Sequence, residues 1–110
     1  MAFSPVAEPH LKQLAMQRMA ATRSTVLNGD FIACNQFDVM DRLAKIRVPT
    51  LVVCGADDRM TPPRYSEHLA SSIRRAQLVM VPEAGHMVML EAADTVTQAI
   101  TDFLRENGLA

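Results

Sequence analysis

The chain has no apolar run approaching the roughly 18 residues needed to span a bilayer. Its first residues, Met1-Ala2-Phe3-Ser4-Pro5, lack the charged stretch and apolar block of a secretory leader. It also lacks an excess of either charge: 11 Lys and Arg stand against 12 Asp and Glu, a formal net charge of −1. With no basic field there is no electrostatic argument for nucleic acid or an anionic membrane as partner. Scattered arginines such as Arg74-Arg75 read as a solvated face. Cysteine is scarce, and Cys34 and Cys54 share no metal-ligand spacing. Cys54 falls inside an apolar stretch, where a free, inert thiol is expected. Together these absences fit a reducing cytoplasm. Low-complexity tracts and internal repeats are missing too. What remains is globular: 110 residues, 49% hydrophobic and 21% charged, one domain or a large piece of one. A compact chain of this size buries about 65% of the surface its unfolded form exposes, enough for a modest core.

From Glu8 to Leu27 there is no internal glycine and, after Pro9, no proline; Ala, Leu, Met, Gln and Arg dominate. These strong helix formers predict a helix, although Leu11, Leu14, Ala15, Met19, Val26 and Leu27 follow one face only roughly. Asn28-Gly29-Asp30 reads as its stop signal, followed by a short apolar piece, Phe31-Ile32-Ala33-Cys34. Asp38 is the expected N-cap of a brief helix carrying Val39, Met40, Leu43 and Ile46. The stretch Pro49-Thr50-Leu51-Val52-Val53-Cys54 is β-rich and apolar without alternation, as in a strand covered on both faces of a parallel sheet. Gly55 ends it. Thr61-Pro62 predicts a capped helix with proline at its first position, running to about Ile73. Gln77-Leu78-Val79-Met80-Val81 is a second strand, ended by Pro82. A last helix is expected from Glu91 to about Asn107, with Val96, Ala99, Ile100, Phe103 and Leu104 as its apolar stripe and Gly108 beyond its end.

Strand, helix, strand with so long a connection implies a right-handed crossover and parallel neighbours. Such neighbours lie about 4.8 Å apart and direct their carboxyl ends to one sheet edge. Asp58 comes four residues after Cys54, and His86 five residues after Val81. Both loops therefore emerge where open α/β sheets place their sites, and an acid can meet an imidazole there. Plainer roles stand beside this one. Asp58 can serve as a turn residue satisfying loop amides, and His86 as a structural histidine. Met87, Val88, Met89 and Leu90 can line a pocket, since methionine adapts to varied shapes, but packing against the final helix is the simpler expectation. Interhelical packing is likewise the simpler reading of Met16 and Met19. His10 and His68 read as surface residues. Glu91 is expected to cap the last helix or pair locally, with no catalytic role. Cys54 has no electropositive surroundings to activate it as a nucleophile.

From Phe37 to its end the chain resembles the C-terminal part of an α/β-hydrolase of the cap-containing, single-domain kind. The resemblance rests on Phe37-Asp38-Val39, Leu43-Ala44-Lys45-Ile46 and Val48-Pro49-Thr50-Leu51-Val52-Val53. It continues through Gly55-x-x-Asp58-x-x-Thr61-Pro62 and Ala84-Gly85-His86 to Glu91 and the helix bearing Phe103-Leu104. It implies an α/β fold: residues 38–110 form two parallel strands flanked by helices, and residues 1–37, a looser match, form a helical cap-like segment. It further implies that Asp58 is the acid and His86 the base of a Ser-His-Asp triad, with Asp57 the neighbour that is not the acid. In that role the imidazole takes a proton from the nucleophile and returns it to the leaving group, while the carboxylate fixes the tautomer.

The departure from the family pattern is large. The serine of such enzymes sits on a Gly-x-Ser-x-Gly elbow ahead of the acid and base, and Ser4, Ser24, Ser66, Ser71 and Ser72 all lack that context. Losing a triad nucleophile costs roughly 10⁶ in kcat in a well-studied case. The expectation is thus a truncated hydrolase segment, inactive alone, that supplies acid and base for a small ester, lactone or related carbonyl substrate. No cofactor or metal is implied. The same fold also hosts C–C bond hydrolases, dehalogenases and peroxidase-like esterases, among which fold does not choose. The competing expectation is a non-catalytic fragment or interaction module. The strand at Thr50–Cys54 would lack one neighbour, and an open apolar edge invites strand addition or domain swapping into a homo-oligomer.

Overall fold

The computed structural model describes residues 2–36 and 38–109, with Asn35 described by its main chain alone. Phe37, which heads the family resemblance and abuts the expected segment boundary, lies outside the described residues. The chain opens with helices α1 (Pro9–Ala21) and α2 (Ser24–Gln36), followed by a 3₁₀ turn over Met40–Lys45. Strand β1 (Thr50–Gly55), helix α3 (Pro63–Ser72) and strand β2 (Ala76–Val81) come next. A short helical turn α4 (Val88–Glu91) and helix α5 (Ala93–Glu106) close the chain. No described helix is long and apolar enough to cross a membrane.

β1 and β2 pair in parallel, in a register running from Thr50 opposite Ala76 to Gly55 opposite Val81. Both strands therefore end level, and their following loops leave the same edge of the sheet. Helix α3 packs on both strands, and α4 and α5 pack on β1. Val81, Ala84, Val88 and Val96 form the buried core, with Val53, Val79 and Ala92 packed against it. The core thus lies beneath the carboxyl ends of the strands, directly under the two loops. Further along the sheet α5 stands off, leaving a groove of about 560 Å³ lined by Leu51, Val79, Ala99 and Phe103 among others. Within the expected stripe of α5, Val96 is buried, whereas Ile100 remains 45% exposed.

Several elements differ from the sequence reading. The helix expected over Glu8–Leu27 is two helices. Glu8 caps α1 by accepting from the amides of His10 and Leu11 at 2.8 and 2.9 Å. Thr22 ends it, its main chain extended (φ −81°, ψ 136°) and its hydroxyl bonded back to Arg18 O at 3.0 Å. Asn28-Gly29-Asp30 lies inside α2 and stops nothing. Glycine terminates a helix by adopting a left-handed conformation, and Gly29 does not have one. Phe31–Cys34 is likewise helical. Val39, not Asp38, occupies the cap position of the 3₁₀ turn, although the Asp38 carboxylate still accepts from the Met40 amide at 3.0 Å. Pro62, not Thr61, occupies the cap position of α3, because the Thr61 hydroxyl is engaged elsewhere. The last helix is broken at Ala92 (φ −136°, ψ 52°) into α4 and α5.

Candidate active site

The two loops are joined before any side chain is considered. The amide of Ala56 donates to Val81 O, and that of Asp57 to Ala84 O, both at 2.8 Å. These bonds continue the parallel ladder beyond the strands. The carbonyls of Ala84 and Gly85 lie directly over Gly55, where any Cβ would collide with both. Residue 55 must therefore be glycine for the loops to meet. Beyond β2, Pro82 ends the strand, and Glu83 takes a left-handed conformation (φ 58°) that turns the chain back over β1.

Asp58 is 7% exposed and accepts four hydrogen bonds. Its Oδ1 receives the amides of Met60 and Thr61, each at 3.0 Å. That turn aims Oδ2 outward, where it meets the Thr61 hydroxyl at 3.0 Å and His86 Nδ1 at 3.0 Å. Burial pushes the Asp58 carboxyl upward. The Thr61 amide, the His86 ring, the Thr61 hydroxyl and the nearby imidazolium charge together outweigh burial and hold it below its ordinary value. Asp58 is thus ionised at neutral pH. An ionised carboxylate only accepts, so His86 Nδ1 carries a proton toward it, and in the neutral ring Nε2 is the nitrogen that presents a lone pair. The His86 side chain is 35% exposed. A ring so arranged can take a proton at Nε2 while Asp58 stabilises the resulting cation.

The structure therefore brings together the two residues singled out from sequence. Asp58 also satisfies loop amides, so the turn role and the pairing coexist in one side chain. Thr61 was missed: the spacing Asp58-x-x-Thr61 allows this back-bonding, but Thr-Pro before a helix reads more naturally as a cap. Among the described residues no serine, threonine or cysteine hydrogen-bonds His86 Nε2. Ser4 is completely buried and donates to Asp57 Oδ2 at 2.8 Å. Ser71 and Ser72 bond back to His68 within α3. Both cysteines are free thiols, Cys34 exposed and Cys54 buried. No group of three or more His, Cys, Asp or Glu able to hold a metal ion occurs among the described residues.

A cavity of about 1060 Å³ lies between the N-terminal residues with α1 and the ends of the two loops, and neither Asp58 nor His86 lines it. Its wall includes Arg59, next to Asp58, and Met87, next to His86, together with Phe3, Leu11 and Leu90. Met16 and Met19 line it as well, 73% and 58% exposed, rather than packing between helices. Of the Met87–Leu90 stretch, Val88 enters the core, whereas Met87 and Leu90 face the cavity.

The family model described as alpha/beta hydrolase fold matches residues 15–93. The chain is 30% identical over 103 residues to the AB hydrolase superfamily protein YisY of Bacillus subtilis, covering 92% of this chain and 38% of that protein. It is 33% identical over 82 residues to a 2-hydroxy-6-oxo-6-phenylhexa-2,4-dienoate hydrolase of Burkholderia cepacia, covering 74% of this chain and 29% of that one. The structure of a thermophilic esterase superposes with a TM-score of 0.81 at 34% identity, over 99% of this chain and 44% of the esterase. The chain thus spans about a third of the length of these two curated relatives. With its level parallel strands and paired loops, and with a family match over most of its length, the chain belongs to the alpha/beta hydrolase fold family.

Proposed function

We propose that Asp58 and His86 are the acid and base of a Ser-His-Asp triad whose nucleophile lies outside these 110 residues, and that the completed enzyme hydrolyses a small ester, lactone or related carbonyl compound. The observation that carries this reading is the 3.0 Å contact between His86 Nδ1 and an ionised, four-fold hydrogen-bonded Asp58. It leaves Nε2 free to serve an incoming hydroxyl. The alone-standing chain is inactive on this reading, because general acid–base help, about 10²–10⁴ in rate, has no nucleophile to act on. Esterase and dienoate-hydrolase relatives support hydrolysis at a carbonyl-type carbon. The free thiols fit a reducing, cytoplasmic setting. Residues 1–37 then act as the end of a cap over the pair, and residues 38–110 as the core. The test extends the chain upstream to include an elbow serine and follows p-nitrophenyl ester hydrolysis. His86→Ala should lower kcat by at least about 10⁴. Full activity in that variant sinks the assignment.

A second reading, self-association, rests on a different observation. The sheet described has two strands only, so each has an unpaired edge, and the neighbouring groove leaves Leu51 and Val79 only half-covered. Pairing of β1 with β1 of a second copy would satisfy one edge. Light scattering after size exclusion decides it: a stable monomer at micromolar concentration rules this reading out.

A further inference from the structure

Three hydrogen bonds converge on Glu91, a carboxylate outside the Asp58–His86 pair. Its Oε1 accepts from Ser4 N at 2.8 Å and from Gly85 N at 3.1 Å, and its Oε2 also accepts from Gly85 N at 3.1 Å. Gly85 immediately precedes His86. On the other side of the ring, Met87 N donates to Ala2 O at 3.0 Å. The main chain of His86 is therefore held before and after the ring by one carboxylate and one strap, Ala2–Ser4. The strap fits because residue 85 is glycine: a Cβ there would stand 2.5 Å from Ser4 N and 2.7 Å from Phe3 C. It also reaches the acid's loop, through Ser4 Oγ and Asp57 Oδ2. Packing alone does not fix the imidazole, which is 35% exposed. What sets its distance to Asp58 is where the turn places its Cα.

We propose that Glu91 is a positioning residue for His86, holding the Gly85 amide and the Ala2–Ser4 strap so that Nδ1 stays within bonding distance of Asp58. Glutamate suits the task because its ionised carboxylate only accepts, and bonds from amides to a charged acceptor are the stronger kind. Releasing the turn lets the ring swing toward solvent, and errors near 1 Å in such geometry cost about 10²-fold in rate. The inference rests on the proposed role of His86 only for its catalytic consequence. The geometry itself can be measured without any activity.

The test is long-range ¹H–¹⁵N NMR of the imidazoles in the ¹⁵N-labelled chain, together with hydrogen exchange at the Gly85 amide, in the wild type, Glu91→Gln and Glu91→Ala. His10 and His68 serve as internal references. The wild type should show His86 as the Nδ1–H tautomer. Glu91→Gln keeps one acceptor oxygen, and should largely retain that pattern while Gly85 exchanges about tenfold faster. Glu91→Ala should lose the pattern, with His86 coming to resemble His10 and His68. A folded Glu91→Ala protein with an unchanged His86 spectrum overturns the proposal, however much its stability drops. Should Glu91→Ala not fold, Glu91→Gln decides alone, and unchanged Gly85 exchange overturns it. A wild-type His86 without Nδ1–H counts instead against the Asp58–His86 pairing.

Discussion

Asp58→Asn isolates what the charge on this side chain does, because it preserves shape and one acceptor oxygen. The asparagine oxygen can still receive the Met60 and Thr61 amides, while its NH₂ replaces Oδ2. There it faces the Thr61 hydroxyl, which can rotate to accept, and His86 Nδ1, which must now accept as well. The imidazole is forced into its Nε2–H tautomer and loses the lone pair a nucleophile would need. Hydrogen bonds to charged acceptors contribute about 1.5–3 kcal/mol net, and neutral ones about 0.5–1.5. The exchange should therefore cost about 1–2 kcal/mol at pH 7, or a Tm lowered by about 5–10 °C. The pH dependence follows from the depressed pKa. A carboxyl held below its ordinary value of 3.8 in the folded state adds stability that is fully present above that value. That stability is lost as pH falls below it, through the folded pKa. Urea unfolding of wild type and variant, followed by circular dichroism from pH 7 to about pH 3, should show the gap between them narrowing at the acid end. A gap that stays constant across that range, with the His86 tautomer unaltered in the variant, refutes the electrostatic reading of the pair. In a completed hydrolase the same change should lower kcat by about 10⁴.

Two further substitutions probe how the loops are brought together. Gly55→Ala drives a methyl group into the carbonyls of Ala84 and Gly85, and Ala84 O cannot swing aside without losing the Asp57 amide. A loss of about 3 kcal/mol is expected in thermal unfolding, and an unchanged Tm would show that the loops do not approach over this residue. Glu83→Gly removes a left-handed, exposed, non-glycine residue. The backbone strain relieved, about 1–2 kcal/mol, exceeds the extra chain entropy of glycine, about 0.5–1 kcal/mol, so Tm should rise by a few degrees. A fall in Tm would place Glu83 in some other conformation.

The parts of the fold legible in the sequence are those written in contiguous residues. Pro49–Cys54 and Gln77–Val81 are apolar, β-rich and bounded by Gly55 and Pro82, so both strands appear within a residue of their expected ends. The connection between them is long and helical, which implies a parallel pair, and a parallel pair dictates which edge the loops share. The geometry of Asp58 and His86 follows from that step. What the sequence hid depends on contacts between distant residues or on competition between partners. Gly29 looks like a stop because glycine usually is one, yet nothing in its surroundings draws it into a left-handed turn. Thr61 looks like a helix cap, but Asp58 offers its hydroxyl a charged acceptor and wins. Ser4 and Glu91, 87 residues apart, carry no mutual signal in a single sequence.

These hydrogen bonds also bear on how autonomous the pair is. Among the described residues, every bond that fixes Asp58, His86 and the turn between Gly85 and Met87 is supplied by residues 2–4, 55–61 and 84–91. None comes from the free edges of the sheet or from the groove beside α5. The geometry of Asp58 and His86 is therefore set by the two loops and the strap, over a core of Val81, Ala84, Val88 and Val96. A strand added at the edge of β1, from the same polypeptide or from a second copy, would lengthen the sheet without touching any of these bonds. It follows that edge pairing and pair geometry should vary independently. Charged substitutions on the β1 edge should alter association and leave the His86 tautomer as it is, whereas Glu91→Gln should loosen Gly85 and leave association unchanged.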